Sequence, residues 1–143
     1  MTDKNRRIVL ASRPQGPVTP ENFRLEETPV PKPADGEVLV RNHFLSLDPY
    51  MRGMLDERKS YRAPQPLNEV MTGGTVGEVV ESRHPDFAAG DRVVGHAGWQ
   101  LYGCVPGSML RRIDPASKLP LSVYLGAVGM PGVTAWYGLT QII

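Results

Sequence analysis

Short runs of apolar residues, separated by turns, recur along most of the chain and predict a β-rich fold. Strands this short, beginning roughly every ten residues, are typical of an all-β barrel or sandwich. The predicted strands are Arg6–Ser12, Asn22–Glu27, Glu37–Leu47, Met71–Ser82, Asp91–His96, Trp99–Val105 and Ser108–Ile113. Gly73, Gly74 and Gly77 lie within the fourth of them, and glycines inside a strand predict a bulge or a close approach of another group to the backbone.

Helical pattern is confined to two regions. Tyr50–Glu57 follows Asp48-Pro49 and predicts one short helical turn before a polar loop over Arg58–Gln65. Beyond the polar connector Asp114–Lys118, the uncharged stretch Leu121–Val128 predicts a helix that begins after Pro120, and Gly129–Gly132 interrupts it. We therefore expect a mainly β domain over residues 1–120 and the start of a second domain over residues 121–143.

The last predicted helix, Val133–Ile143, ends without a glycine or asparagine cap and without a basic last turn. Its apolar side chains would have little to pack against if the barrel is already closed upstream. We therefore expect the chain to stop within a structural unit, with the second domain truncated.

Composition and charge narrow the classes of function. Gly and Pro contribute 15 and 14 of the 143 residues, which favours short elements joined by turns. The formal net charge of +1 provides no excess positive field, so nonspecific nucleic-acid binding is excluded as a role. With a single cysteine, no signal-peptide core and no run of about 20 apolar residues, we expect a cytoplasmic protein rather than a membrane protein.

Metal and phosphate sites are not predicted. The histidines His43, His84 and His96 and the one thiol, Cys104, show no metal-ligand spacing, and no nucleophile signature surrounds Cys104. The glycine-rich segment Met71–Gly77 continues as a strand, whereas a phosphate cradle requires a following helix N-terminus.

Three segments are candidates for a ligand site. Pro49 fixes the backbone where a strong strand ends, so Tyr50 can present a neutral hydroxyl donor at a barrel rim, although the pattern alone favours a packing role for its ring. Trp99 can wall an apolar pocket or stabilise a cross-strand pair. Met130–Trp136 opens the last predicted helix, where Thr134 and free backbone N–H groups can face an anion or serve helix packing only.

Several strings of residues resemble one family. LSLDPYMRG (Leu45–Gly53), GTVGEVVES (Gly74–Ser82) and GDRVVGHAGWQLY (Gly90–Tyr102) are similar to segments of the zinc-free prostaglandin, leukotriene, curcumin and 2-alkenal reductases. These enzymes belong to the medium-chain dehydrogenase/reductase superfamily. LGAVGMPGVTAWYGLTQI (Leu125–Ile142) resembles their junction with the cofactor domain, and Asn5–Glu27 looks closest to bacterial NADPH-dependent curcumin reductases.

The resemblance implies a GroES-like, partly open β-barrel followed by the first helices of a Rossmann domain. It implies that NADPH delivers hydride to the β-carbon of an enone or enal, without zinc. Leu45–Pro49 and Thr72–Thr75 match the stretches that carry zinc ligands in other members, and neither contains such a ligand. The implied roles are Tyr50 as the catalytic donor at the substrate, Trp99 as a pocket wall, and Met130 and Thr134 near the nicotinamide of NADPH.

The resemblance also places the main cofactor site beyond residue 143, so residues 1–143 alone are expected to be inactive. A homodimer is expected for the whole protein, because dimers of this superfamily commonly pair through the cofactor domain. Two alternatives remain open: a quinone reductase of the same superfamily, and a non-catalytic binding module that keeps the barrel only.

Overall fold

The computed structural model describes residues 4–58 and 62–142, and within them the chain forms seven strands and two α-helices. Part of the predicted loop Arg58–Gln65 and the last residue of the predicted helix Val133–Ile143 lie outside the described residues. The strands are β1 (Lys4–Leu10), β2 (Phe23–Pro29), β3 (Glu37–Leu45), β4 (Thr75–Ser82), β5 (Arg92–Gly95), β6 (Tyr102–Pro106) and β7 (Arg111–Arg112). The helices are α1 (Tyr50–Met54) and α2 (Met130–Tyr137).

The strands form two antiparallel sheets, which confirms the predicted mainly β architecture. β1 and β2 make a two-stranded ribbon, and the other five strands make a sheet in the order β6-β3-β4-β5-β7. Backbone hydrogen bonds link the ribbon to segments that flank the five-stranded sheet: the Ile8 N–H donates to the Trp99 carbonyl at 2.8 Å, and the Met71 N–H donates to the Ile8 carbonyl at 2.9 Å. The sheets do not close fully, so the barrel is partly open.

The core follows from the alternation of apolar positions along these strands. Val38, Val40, Val79 and Val93 form one buried cluster inside the five-stranded sheet. A second cluster fixes β1 and α1 to the barrel through Leu10, Leu55 and Met71. A third contains Val76, Ile113 and Tyr124, and it packs the segment after the barrel onto the sheet. The side chains of each cluster come from segments that are distant in sequence.

Gly77 shows why a glycine stands inside β4. It lies opposite Asn42 in β3, and a Cβ atom at this position would overlap the Arg41 carbonyl group. The pairing of β3 with β4 also shifts register on either side of this point, between Leu39 and Val40 and between Asn42 and Phe44. Both the predicted close approach and the predicted irregularity are therefore present.

The segments that were predicted least well are those without strong periodicity. The helix predicted to begin after Pro120 is present, but it is a 3₁₀ helix over Leu121–Leu125 and ends before Val128. Met71–Gly74 precedes β4 instead of belonging to it, and the predicted strand Ser108–Ile113 contains a 3₁₀ turn, Gly107–Met109, before the two residues of β7. Tertiary packing of Tyr124 between Val76 and Ile113 holds the 3₁₀ segment on the sheet, so this segment does have a surface to pack against.

α2 differs from the barrel in its exposure. None of its residues is buried, and it continues as a π-helical turn over Gly138–Ile142. Val133, Trp136, Leu139 and Ile142 are 60% to 74% exposed. None of the helices within residues 4–58 and 62–142 is both long and apolar enough to cross a membrane.

Candidate functional site

A cleft of about 230 Å³ lies where the end of β3, α1, β5, β7 and the start of α2 meet. Six segments of the chain contribute to it, although they are far apart in sequence. The lining residues that concern its chemistry are Ser46, Asp48, Tyr50, Arg62, His96, Arg111, Tyr124, Met130 and Pro131. Two of the residues predicted from sequence, Tyr50 and Met130, therefore share one cleft.

The turn between β3 and α1 holds Tyr50 in place. The Ser46 hydroxyl donates a hydrogen bond to Asp48 Oδ1 at 2.8 Å, and the Ser46 N–H donates to the Gly74 carbonyl at 2.8 Å. Pro49 has φ −55° and ψ −32°, so its ring already holds the backbone of the first helical turn. Met51, within α1, and Leu55, directly after it, are both buried and anchor this helix in the core. Tyr50 is thus carried on a rigid base.

Tyr50 presents a ring that is half-buried and a hydroxyl oxygen that is buried. The guanidinium carbon of Arg62 lies 4.8 Å from the centroid of the ring. A cation in this position is attracted by the negative face of the ring. Arg62 therefore covers Tyr50 and forms part of the cleft wall.

The opposite side of the cleft is formed by the segment before α2. Gly129 lies so close to the Tyr124 carbonyl that a Cβ atom would overlap it, so the turn that leads into Met130 requires glycine. Tyr124 is buried, and its hydroxyl donates a hydrogen bond to Ser117 Oγ at 2.6 Å. Met130 and Pro131 then give this side an apolar edge.

The charges that face the cleft are predominantly positive. The guanidinium carbon of Arg111 lies 5.9 Å from the centroid of the Tyr124 ring. This contact is of the same kind as that of Arg62 with Tyr50, at a longer distance. Within the described ranges, neither arginine forms an ion pair. Asp48 is the one carboxylate among the lining residues that the structure describes, and the Ser46 hydroxyl donates to it. His96 is exposed in the same cleft.

Trp99 does not share this cleft. Its ring stacks on Phe23 at 5.7 Å between centroids, and it packs against the cluster of Leu10, Leu55 and Met71. It lines a different, shallow pocket, together with Leu25 and Phe44. The geometry therefore separates Trp99 from Tyr50, because the loop after β5 turns its side chain toward the β1–β2 ribbon.

Thr134 and Cys104 also lie outside the cleft. The Thr134 hydroxyl donates to the Met130 carbonyl at 2.8 Å, within α2, and its side chain is exposed. Burial, and then the carboxylates of Glu37 and Glu81, raise the pKa of the Cys104 thiol, which disfavours the reactive thiolate. Cys104 is half-buried in β6, which agrees with a structural thiol.

Sequence reasoning missed several residues of the cleft. Arg62 lies in a segment predicted as a polar loop, and Arg111 lies in a predicted strand that carried no motif. The signal that could have identified Arg111 is the alternation of side chains along β7. Arg111 is opposite Val94 in the ladder, whereas Arg112 is opposite Val93 and faces the other side of the sheet. Among residues 4–58 and 62–142, no group of three or more His, Cys, Asp and Glu side chains could hold a metal ion.

A partly open antiparallel barrel, with a tyrosine on a D-P-Y-M-R turn and a cleft at the junction with a following helix, defines a class of protein. It is the N-terminal, GroES-like part of the medium-chain dehydrogenase/reductase fold. The chain belongs to the family described as the N-terminal domain of oxidoreductase, whose model matches residues 6–113. The resemblance noted from the sequence motifs is therefore confirmed.

Individual relatives agree with this assignment. The chain is 52% identical over 139 residues to the NADPH-dependent curcumin reductase of Escherichia coli (strain K12), covering 97% of this chain and 40% of that protein. It is 42% identical over 131 residues to prostaglandin reductase 1 of Rattus norvegicus, covering 90% of this chain and 37% of that protein.

A solved structure supports the same fold. The structure of CurA from Vibrio vulnificus in complex with NADPH matches with a TM-score of 0.82 and 48% identity, over 94% of this chain and 40% of that chain. The chain thus spans about 40% of the length of the relatives that it matches.

Proposed function

We propose that the protein containing this chain is an NADPH-dependent, zinc-independent reductase of the C=C bond of α,β-unsaturated ketones or aldehydes. In this proposal residues 1–120 form the substrate-side domain, and residues 121–143 begin the cofactor-binding domain. The family and the relatives described as NADPH-dependent reductases support it. So does the exposed apolar surface of α2, which is suited to pack against a further domain.

The observation that carries the proposal is the meeting of Tyr50 and Met130 in one cleft. Tyr50 offers a hydroxyl donor on a rigid turn, and Met130 belongs to the segment that resembles the cofactor-domain junction. A substrate between them has a hydrogen-bond donor on one side and an apolar edge on the other. This arrangement is suited to a small molecule that carries one polarisable carbonyl.

Tyr50 is proposed as the donor to that carbonyl. NADPH, when bound, supplies a hydride to the β-carbon of the substrate. As the C=C electron pair moves toward the carbonyl, negative charge develops on the carbonyl oxygen as an enolate, and protonation of the α-carbon completes the reaction. A Tyr50 hydroxyl directed at this oxygen stabilises the enolate more than the neutral ketone, so it lowers the barrier. The rigid turn at Pro49 keeps the donor oriented before the charge appears.

The described residues fit one end of the cofactor. Gly129, Met130 and Pro131 form a small, largely apolar wall that can accept the flat face of a nicotinamide ring. A pyrophosphate site requires a strand, a glycine-rich turn and a helix N-terminus in succession, and the described part of the chain contains no such unit. The main holding site for NADPH is therefore proposed to lie in the remainder of the protein.

The proposal is tested with the full-length protein. Incubation with NADPH and an enone such as curcumin, or with a 2-alkenal, should consume NADPH. Mass spectrometry should find a product two hydrogen atoms heavier than the substrate, with the carbonyl retained. Reduction of quinones without reduction of any enone or enal would assign the protein to the alternative class instead. Absence of all NADPH oxidation would favour a non-catalytic module.

A further inference from the structure

One buried amide ties the end of α1 to the segment that leads into β4. Gln65 is 3% exposed, although it lies in the stretch predicted as a polar loop. Its Nε2 donates a hydrogen bond to the Val70 carbonyl at 3.1 Å, and its Oε1 accepts one from the Thr72 N–H at 3.1 Å. The backbone N–H of Gln65 donates to the carbonyl of Met54, the last residue of α1, at 2.8 Å. Gln65 therefore bonds to both segments at once.

A second side chain completes this attachment of α1. Arg13 follows β1, its side chain is 19% exposed, and it donates to the Leu55 carbonyl at 2.9 Å and to the Gln65 carbonyl at 3.2 Å. Carbonyl groups in the last turn of a helix have no partners within the helix, so other groups must supply them. Gln65 supplies one to Met54 and Arg13 supplies one to Leu55. The C-terminal end of α1 is therefore held by hydrogen bonds as well as by apolar contacts.

The position of this end bears on Tyr50 by two routes. The first route is α1 itself, which runs from Tyr50 to Met54 and has five residues. With a rise of about 1.5 Å per residue, its two ends are only about 6 Å apart. A shift at Met54 therefore displaces or turns the Tyr50 side chain at the other end.

The second route is the segment between Gln65 and Arg62. The guanidinium carbon of Arg62 lies 4.8 Å from the centroid of the Tyr50 ring. Pro64 and Pro66 flank Gln65, and each proline fixes its own φ and restricts the residue before it to extended backbone. The segment is therefore stiff, and its anchor at Gln65 sets where Arg62 meets the ring.

We propose that Gln65 is a positioning residue for Tyr50. Its amide fixes the end of α1 and the base of the segment that carries Arg62, and the two together hold the Tyr50 hydroxyl in the orientation that the substrate carbonyl requires. The inference rests on the proposed function, in which Tyr50 is the donor to that carbonyl. Gln65 does not line the cleft, so it acts through Tyr50 rather than on the substrate.

A double-mutant cycle in the full-length protein tests this inference. Gln65→Met keeps the length of the side chain and removes both amide hydrogen bonds. With NADPH and an enone such as curcumin, it should lower kcat about tenfold and leave the KM for NADPH unchanged. This fall lies within the effect of about 10²–10³ expected for losing the Tyr50 hydroxyl. In the Tyr50→Phe background, Gln65→Met should change kcat by less than about twofold, because the hydroxyl that Gln65 orients is already absent.

Gln100→Met is the matched control. The Gln100 amide also has a partner at each end, since its Nε2 donates to the Ala97 carbonyl at 2.7 Å and its Oε1 accepts from Asn5 Nδ2 at 3.0 Å. Gln100 lines the shallow pocket with Trp99, outside the cleft of Tyr50, so kcat should stay at the wild-type value. Thermal melts check that the variants are folded at the assay temperature. If Gln65→Met does not fold, Gln65→Asn takes its place in the cycle, because its amide is one methylene group too short to reach both partners.

The cycle separates positioning from a purely structural role. Where Tyr50→Phe lowers kcat as expected, a much smaller effect of Gln65→Met in that background than in the wild type supports the inference. An equal fall in both backgrounds overturns it, and so does the absence of a fall in either. A raised KM for NADPH as the only change also overturns it.

A measurement that does not depend on turnover separates this inference from the proposed function. In protein labelled with 3-fluorotyrosine, the Tyr50 resonance is the ¹⁹F signal that disappears in Tyr50→Phe. Gln65→Met should shift or broaden this signal, and Gln100→Met should leave it unchanged. If the protein reduces no enone, or if Tyr50→Phe keeps full turnover, the proposed function or the proposed donor fails and the ¹⁹F signal alone decides. A changed Tyr50 signal in Gln65→Met then supports the inference, and an unchanged one overturns it.

Discussion

Tyr50 combines a reactive group with a fixed position. Its hydroxyl is the donor proposed for the enolate oxygen, and its backbone follows a proline that restrains the turn. The buried neighbours Met51 and Leu55 prevent α1 from shifting, so the hydroxyl is oriented before substrate enters. Preorganised donors of this kind stabilise developing charge better than mobile ones.

Removing this hydroxyl should be costly for catalysis and mild for folding. In the full-length protein, Tyr50→Phe is expected to lower kcat for enone reduction by about 10²–10³, the effect of losing one such donor. Tyr102→Phe is the matched control, because Tyr102 is buried in β6 outside the cleft and should keep wild-type turnover. Steady-state kinetics measures both. Unchanged kcat/KM in Tyr50→Phe would reduce Tyr50 to a packing residue.

At the scale of elements, the ribbon of β1 and β2 depends on cross-strand charge pairs. Arg7 lies directly opposite Glu26 in the ladder, and its guanidinium is 2.8 Å from the carboxylate. Arg24 lies on the same face of β2 as Glu26 and adds a second contact within that strand, at 2.7 Å. The hydrogen bonds from Arg24, and then from Arg7, hold the pKa of the Glu26 carboxyl below its ordinary value of 4.5.

Protonation of Glu26 should therefore weaken the ribbon in acid. A carboxylate with a lowered folded-state pKa stabilises the fold above its unfolded pKa, and this contribution disappears as the pH falls below about 4.5. Glu26→Gln should be less stable than wild type near neutral pH, and the difference should shrink below about pH 4.5. Thermal melts across this range measure it. Glu69→Gln, at an exposed carboxylate without an ion pair among the described residues, is the control, and an equal acid dependence in both variants would contradict the prediction.

The pairing of β3 with β4 depends on the absence of a side chain at Gly77. Gly77→Ala places a methyl group into the Arg41 carbonyl, and the strands must separate to accept it. Overpacking of this kind should lower the free energy of unfolding by about 1–3 kcal/mol. Gly53→Ala, in α1 with open space around the new methyl group, should instead raise it by about 0.5–1 kcal/mol. Urea denaturation of the two variants measures the contrast, and equal stability of the two would contradict it.

At the scale of the whole molecule, the cleft is a product of the junction between the barrel and the segment that leads into α2. Tyr124 packs in the core with Val76 and Ile113, and this contact brings Met130 to the mouth of the barrel. The stretches that match zinc-binding positions, Leu45–Pro49 and Thr72–Thr75, carry no thiol or imidazole. The carbonyl charge is therefore proposed to be balanced by hydrogen-bond donors.

Metal removal tests this view of the site. Dialysis of the full-length protein against a strong chelator should leave enone reduction unchanged, because the proposed donors are side chains. Metal analysis before and after dialysis checks that removal was complete, and a zinc-dependent alcohol dehydrogenase treated in parallel should lose activity. Loss of enone reduction that added zinc restores would contradict zinc independence.

The extent of prediction from sequence differs between regions for a physical reason. Strands with a strong apolar pattern, such as β1, β3 and β4, were predicted within a few residues, because alternation reports burial on one face directly. For Leu121–Leu125 the sequence predicted a helix but neither its 3₁₀ geometry nor its end, because its apolar residues have no clear period and the contact of Tyr124 with the sheet decides its geometry. The domain boundary at residue 120 stays a prediction.

For this protein, the sequence by itself determined the β-rich architecture, the rigid turn that carries Tyr50, and the family. These properties depend on local backbone preferences and on motifs that are contiguous in the chain. Only the tertiary structure decided that Arg62, Arg111 and Met130 join Tyr50 in one cleft, and that Trp99 lies elsewhere. The physical reason is that a cleft is built from long-range contacts, which depend on strand register and core packing rather than on the spacing of residues along the chain.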